Sequence, residues 1–318
     1  MSAESTFIAA LRALATHPGA RGLRDDAAVL AAPVGRDIVL THDMLVEGVH
    51  FLATDPPGDV AWKLVAVNLS DLAAKGAVPV GVLTGCGLAR GAEWDAAFVA
   101  GLGRALSHFG VPLLGGDTVA MPEGAPVALG LTAIGRVAPG GAPARDGARA
   151  GDRLWVSGPV GDAGLGLRIA RGAVEGPRRL LKAYRLPMPR LALGQAIAPH
   201  VHAMADISDG LLIDAARMAE ASGLAVEVDL DAVPLSAEAV ALAGADRAAR
   251  LAAATAGDDY ELLLAAPGEA AKRLLTLCQP LQASLIPVGR FVEGTGLALH
   301  DRDGTVPLPA SLGYEHGA

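Results

Sequence analysis

Aspartates recur in six short turns of this chain, each beside small residues: RDDAAV (24–29), THDM (41–44), NLSDLAA (68–74), GGDT (115–118), DISDGL (206–211) and GDDYEL (257–262). Glycine, alanine and serine next to a carboxylate let a backbone approach a ligand closely. Taken one at a time, these turns are ordinary, because Asp and Gly form turns in their own right. Taken together they pose an electrostatic problem. Carboxylates brought to one place repel one another, and some must take up protons unless cations stand between them. Mg²⁺ is the natural cation, since it binds oxygen ligands through a few carboxylates together with substrate phosphates. The pattern predicts metal-dependent phosphate chemistry.

Asp71 carries both a structural and a functional reading. Lys75 stands at i+4 on the same expected helix, where a solvated ion pair contributes only a few tenths of a kcal/mol. Asn68, at i−3, makes an Asn/Asp ligand edge on one helix face. Histidine and cysteine offer less. His200 and His202 have HxH spacing with no further His or Cys nearby to complete a zinc site, and Cys86 and Cys278 have neither disulfide nor metal-ligand spacing. GPVGDAGLGLRIA (158–170) matches neither GxGxxG nor GxxxxGK[ST], so it reads as a tight turn into a helix. DRDG (301–304) lacks the later oxygen ligands of a calcium loop and reads as a hairpin turn.

Composition narrows the class. A length of 318 residues predicts two domains of ordinary size. Mean hydropathy is positive, yet much of the apolar content is alanine and no uncharged stretch reaches the ~18 apolar residues of a spanning helix. The first residues lack a basic region before their apolar ones and carry Glu4, which argues against a secretory signal. The expected compartment is the cytoplasm. Net charge is −8 and only Lys63, Lys75, Lys182 and Lys272 are lysines. With no basic cluster interleaved with aromatics, a nucleic-acid surface has no support, and no membrane partner is expected.

The elements that must hold the aspartates follow from periodicity. DIVLTHD (37–43) reads as a strand delivering Asp43 at its end. A helix capped by Asp59 follows, with Trp62, Val65, Ala66, Leu69 and Leu72 on its apolar face, and VGVLTGCGL (80–88) returns to strand. Trp94, Phe98, Leu102, Ala105 and Phe109 fall at helical spacing and read as core, before VPLLGGD and the strand VALGLTAIGRV. A Gly/Pro/Ala-rich stretch around 138–151 separates residues 1–137 from 152–318. The second segment alternates DRLWVSG, a helix, DISDGL leading into LLIDAARMAEAS with Gly223 as terminator, strand LAVEVDL, Ala-rich helices, strand DYELLLAA, a helix from about Gly268 and strand LIPVGRF. Both halves are α/β mixtures.

These motifs, with WKLVAVNLSDLAAKGAVPVG (62–81) and GYEH (313–316) in the same order, resemble the thiamine-monophosphate kinase family over nearly the whole chain. That family is similar to aminoimidazole ribonucleotide synthetase, selenophosphate synthetase and the hydrogenase-maturation dehydratase. The resemblance implies an aminoimidazole ribonucleotide synthetase-like α/β (α+β) fold of two domains. The N-terminal domain would bind ATP and metal and would form the interface of a homodimer.

By position, the resemblance implies several Mg²⁺ ions at Asp26, Thr41, Asp43, Asp71, Asp117, Asp206 and Asp209, with Asp43, Asp71 and Asp117 central to catalysis. It implies ATP contacts from Gly116, Asp117, Arg145 and Ser208, and thiamine monophosphate contacts from His50, Asp258 and Tyr314. Five positions depart from the family pattern. Arg24 replaces a Gly before the DD pair. His42 replaces a Thr, and would reach metal through its carbonyl. Lys75 replaces an apolar residue, Asp258 stands in place of Glu and is one methylene shorter, and Val99 occupies the place of a Tyr near adenine in some relatives. The implied reaction is phosphorylation of thiamine monophosphate to thiamine diphosphate at the expense of ATP. Two alternatives remain: another ATP-dependent enzyme of the same superfamily, and a relative that binds nucleotide or metal without turnover. Against the first stand the absence of any Cys before Cys86 and the presence of GDDYELL and GYEH; an ADP-release assay separates the second.

Overall fold

The computed structural model describes residues 3–24 and 27–315. The chain divides into two compact units, Met1–Leu72 with Val78–Pro139, and Ala73–Ala77 with Gly140–Ala318.

In the first unit, α1 (Ala3–Leu14) precedes β1 (Asp37–Val46), α2 (Pro57–Ala74), β2 (Val78–Leu88), α3 (Ala92–Phe109), β3 (Leu113–Ala120) and β4 (Ala128–Val137). The four strands form one sheet in the order β1-β4-β2-β3, with β2 and β3 parallel and the other pairs antiparallel. The expected helix over 59–72 begins at Pro57, so Asp59 lies in its first turn and does not cap it. A carboxylate there still complements the helix dipole.

The middle of α2 is buried on every side from Lys63 to Ser70, and Leu64, Val65, Ala66 and Leu69 are completely inaccessible. Such a helix is expected to satisfy its polar side chains inside the protein; among the described residues the Ser70 hydroxyl is an exception, buried without a hydrogen-bond partner. Phe98, Leu102 and Ala105 of α3 join the core as expected, whereas Trp94 and Phe109 are half-buried. The other face of β1 is open: Ile38, Leu40, His42 and Met44 alternate as exposed residues.

The second unit contains β5 (Arg153–Val156), α4 (Asp162–Ala170), α5 (Arg178–Arg185), α6 (Leu191–Ile197), β6 (Ala203–Asp206), α7 (Leu211–Ala221), β7 (Ala225–Asp229), α8 (Ala237–Ala243), α9 (Arg247–Ala254), β8 (Leu262–Ala266), α10 (Ala271–Cys278), β9 (Ile286–Val292), β10 (Gly296–Asp301) and β11 (Gly304–Val306). Its sheet runs β11-β10-β7-β9-β5-β8-β6, and only β10 and β7 pair in parallel. Leu154, Val156, Leu263 and Val288 meet Leu211, Leu212 and Met218 in one core, while Ala73, Ala74, Leu193 and Ile197 belong to another.

Several local expectations are met in detail. Gly161, at φ 84°, turns the chain into α4, and a Cβ at Gly166 would stand 2.1 Å from the Leu180 carbonyl oxygen, so these glycines serve close packing and not a phosphate loop. Gly223 follows α7 at φ 67°, the left-handed position of a helix terminator. Asp301 and Gly304 are register partners in the hairpin expected of DRDG. The strand expected from Asp259 begins only at Leu262, because the residues before it form a strained turn.

The approach of α2 to α3 generates a prediction. A Cβ at Gly101 would lie 2.3 Å from the Gly58 Cα. Replacing a helical Gly by Ala normally gains up to ~1 kcal/mol, whereas forcing atoms into a packed interface costs ~1–3 kcal/mol. The contact is with backbone, so the clash wins. Gly101→Ala is expected to lower the denaturation midpoint by the equivalent of about 1–2 kcal/mol; an unchanged or raised midpoint would refute this backbone contact.

Candidate functional site

In the first unit the candidate residues are held by α2. Asn68 is fully buried; its side-chain carbonyl accepts the Asp43 N–H at 2.9 Å, and its amide donates to the Leu64 carbonyl at 3.0 Å. Asp43 lies on an edge strand, whose outward N–H needs a partner. Asn68 supplies one. It therefore positions Asp43 and is not the ligand edge that its spacing suggested. Three residues on, the Thr41 hydroxyl donates to the Asp71 carboxylate. Lys63, also buried, donates to the His50 carbonyl at 3.0 Å, and the His50 Nδ1 accepts the Val46 N–H at 3.0 Å.

Alternation then sorts the remaining residues. Asp43, Leu131, Thr84 and Gly116 form one row across the sheet, and Met44, Gly130, Gly85 and Asp117 form the next. Directly paired residues project to the same side. Thr41, Asp43 and Asp71 thus meet on the helix side, while His42 and Asp117 belong to the open face. His42 contacts the Thr132 hydroxyl at 2.9 Å, and the Asp117 carboxylate accepts the Thr118 N–H at 2.9 Å. A cavity of about 600 Å³ adjoins Gly116 and Asp117, lined also by Leu11, Leu83, Leu114 and Ile134. Val99 is buried in α3 and does not line it. Asp26 lies outside the described residues.

In the second unit three segments are tied together by their backbones. The Asp258 N–H donates to the Ser208 carbonyl, the Tyr260 N–H to Ile207 and the Tyr314 N–H to Asp209, all at 2.8–2.9 Å. Added Cβ atoms at Gly257 and Gly313 would stand 2.7 Å and 2.6 Å from the carbonyl oxygens of Ser208 and Asp209. Glycine is required for this approach. The ties bring Ser208, Asp209, Asp258 and Tyr314, widely separated in sequence, into one place. Asp206 is buried at the end of β6, one residue before the loop. Arg145, an expected ATP contact, is exposed in a 3₁₀ turn.

Asp214, in the first turn of α7, organises this loop. One carboxylate oxygen accepts the N–H groups of Ser208, Asp209 and Gly210 at 3.1, 3.1 and 3.3 Å. Burial raises its pKa, opposed by the Asp209 N–H and by Arg217. The Arg217 guanidinium bridges Asp214 at 3.1 Å and Asp209 at 2.5 Å.

The GDDYEL motif divides its acids among different tasks. The Asp258 carboxylate accepts the Tyr260 hydroxyl at 3.1 Å. Asp259 accepts the Gly161 and Ala163 N–H groups at the N-terminus of α4, at 2.6 and 3.3 Å. Burial nevertheless pushes its pKa well above the ordinary carboxylate range, with Glu261 and Asp162 adding repulsion. Glu261 accepts a bidentate pair from Arg190 and a bond from the Ser157 hydroxyl. Sequence reasoning missed the roles of Tyr260, Asp214 and Arg217. Only the i+4 spacing of Asp214 from Gly210 hinted at a helix-start device.

Elsewhere, His202 binds Asp152 at 2.9 Å, and Lys75 donates to the carbonyls of Pro143 and Met204, both at 3.1 Å. Among the described residues no three His, Cys, Asp or Glu side chains form a metal-holding group. The donors that meet at Thr41 and Asp71, beside Asp43, are all hard oxygens. Such a set fits Mg²⁺, which takes few protein carboxylates and completes its shell with water and phosphate.

Neither thiol belongs to this chemistry. Burial pushes Cys86 up to about 12, with Asp95 adding repulsion, and also raises Cys278. Thiolate is the reactive form, so a thiol reagent at pH 8 should label neither cysteine in the native protein and both after denaturation. Rapid native labelling of Cys86 would contradict its place in the core.

Comparisons with known proteins cover both units. The AIR synthase related protein N-terminal domain matches residues 24–137, and the corresponding C-terminal domain matches residues 149–302. A thiamine-monophosphate kinase of Caulobacter vibrioides is 41% identical over 308 residues, 94% of this chain and 86% of that protein. Among solved structures, the thiamine-monophosphate kinase of Stenotrophomonas maltophilia K279a is 36% identical, with a TM-score of 0.83 over 96% of this chain and 97% of that one. AaThiL complexed with AMPPCP and TMP is 30% identical, with a TM-score of 0.77 over 92% and 91%.

Proposed function

Because the chain belongs to the thiamine-monophosphate kinase family, as its two AIR synthase related domains and its 41% identity over nearly full length establish, we infer that it phosphorylates thiamine monophosphate to thiamine diphosphate with ATP. The observation that carries the reading is full-length similarity to AaThiL, a protein solved with AMPPCP and TMP. The tied loops bearing Ser208, Asp258 and Tyr314 support it from this chain's own residues.

A phosphate monoester has a second pKa near ~6, so the acceptor is largely dianionic at neutral pH and needs no general base. The barrier is the approach of two anions in line. Gly116 and Asp117 line a cavity with enough apolar wall to take a purine nucleoside. Thr41, Asp43 and Asp71 would hold Mg²⁺, as would Asp117, Asp206 and Asp209; bound there, the metal supplies charge neutralisation at the phosphate oxygens. Asn68 keeps the Asp43 backbone fixed, and the Thr41 hydroxyl orients the Asp71 carboxylate. On the organic substrate, a Tyr314 ring offers stacking and cation–π attraction to a thiazolium, and the Asp258 carboxylate accepts amino hydrogens. His50 is assigned to the same substrate.

The open β1 face, with Ile38, Leu40 and Met44 at 47%, 65% and 51% exposure, supports a homodimer in which a second copy covers it. Contiguous apolar patches of this kind mark interaction sites. No helix among the described residues is long and apolar enough to cross a membrane, and we assign the enzyme to the cytoplasm.

An ADP-release assay with thiamine monophosphate tests the activity, and the absence of substrate-dependent turnover would overturn it. Asp43→Asn and Asp71→Asn are each expected to lower kcat by at least ~10²-fold in a folded protein, more than the usual cost of losing a partner outside the ligand shell. Near-normal rates in either variant would remove that residue from the metal set. Calorimetry gives a second check. An acidic site should repel free ATP, so binding should be nearly abolished in EDTA and restored by Mg²⁺. Tight binding without divalent ions would transfer the charge-compensating role to arginine.

A further inference from the structure

We propose that Tyr260 is a positioning residue for the organic substrate, its hydroxyl fixing the orientation of the Asp258 carboxylate. The proposal rests on the reading of Asp258 as a thiamine monophosphate contact. The hydroxyl donates to Asp258 Oδ1 at 3.1 Å, and the tyrosine carrying it is only 8% exposed. A tyrosine this buried has little freedom at its hydroxyl, whereas the terminal torsion of an aspartate is broad. The bond ties the carboxylate to the buried tyrosine.

The backbone is arranged to make that contact. Asp258 and Tyr260 both have positive φ, 71° and 51°. For a bulky aromatic residue this conformation is an outlier, and it persists only where the surroundings over-determine it. The N–H groups of both residues are bound, to the carbonyls of Ser208 and Ile207 at 2.8 Å. Asp259, between them, is directed to the N-terminus of α4. One turn thereby sends the central carboxylate into structure and holds the outer two side chains against each other. A tyrosine needed only for packing would not require its hydroxyl on the carboxylate assigned to substrate. The shorter Asp at this position makes its orientation more consequential, since it has one torsion fewer than Glu with which to find the substrate.

The test is Tyr260→Phe, which keeps the ring and deletes only the hydroxyl. Removing one hydrogen bond to a charged group is expected to raise KM for thiamine monophosphate about tenfold, with kcat and the KM for ATP each changed less than ~twofold. The denaturation midpoint should fall only slightly, as the loss of one partly buried hydrogen bond requires. Asp258→Asn should raise the same KM, and adding Tyr260→Phe to it should have less than a ~twofold further effect, because the hydroxyl acts through the carboxylate. Additive effects in the double variant, a general loss affecting both substrates, or an unchanged KM in Tyr260→Phe beside a raised one in Asp258→Asn would each overturn the proposal. An unchanged KM in Asp258→Asn overturns the substrate reading and the proposal with it, and that single variant tells the two failures apart. Circular dichroism and the denaturation midpoint establish that each variant is folded before its kinetics are read.

Discussion

An ionised carboxylate inside a fold must be neutralised by a cation or held by neutral donors, and this chain uses the two arrangements in different places. Glu261 takes Arg190, Asp301 takes Arg247 and Asp231 takes Arg302. These pairs tie elements together. On Asp71 the structure puts a threonine hydroxyl and on Asp117 a backbone N–H. A neutral donor fixes direction while leaving the negative charge to act on whatever cation or amino group arrives. Asp209 departs from this division, since Arg217 stands on it at 2.5 Å. Its charge is compensated within the chain, and any cation that binds it must share the carboxylate with a guanidinium.

The same economy explains α2. A helix buried on all sides gains from apolar contact, yet it carries Lys63, Asn68 and Ser70 in its inaccessible stretch. Buried polar groups are tolerated when bonded. Lys63 and Asn68 are bonded to the backbone around β1, at His50 and Asp43, whereas the Ser70 hydroxyl finds no partner among the described residues. The helix that fills the first core is thus also the gauge that sets the height of the strand bearing Thr41 and Asp43. Asp71 continues the same face one turn on. The local geometry of the three residues follows from core packing.

Periodicity made the elements legible and left the turns obscure. The strands from Asp37, Val80 and Val127 and the helix at 94–109 were readable because apolar spacing alone reports burial. Composition marked a boundary around 138–151, but it carried no sign of the grouping of Ala73–Ala77 with Gly140–Ala318, since nothing in local composition marks which core the end of a helix joins. The acidic turns were visible as composition, whereas their partners were not. Asn68 looked like a ligand because spacing places it beside Asp71; only the sheet shows that its carbonyl meets an edge N–H. Likewise no one-dimensional pattern separates Asp117 from Asp43, which register places on opposite faces.

The GDDYEL turn shows why such a motif resists reading by residue type. Its three acids are near neighbours in sequence, yet one is held by a tyrosine hydroxyl, one by the N-terminus of a helix and one by an arginine. A regular strand would alternate them between two faces. Two left-handed residues break that alternation, at a cost on the order of 1–3 kcal/mol each. The bonds to Ile207 and Ser208 contribute against that cost, as does the two-donor cap that Asp259 provides for α4. The strained geometry at Asp258 is therefore supported by interactions outside the substrate contact itself, and the substrate can be met by a carboxylate whose position is set before binding.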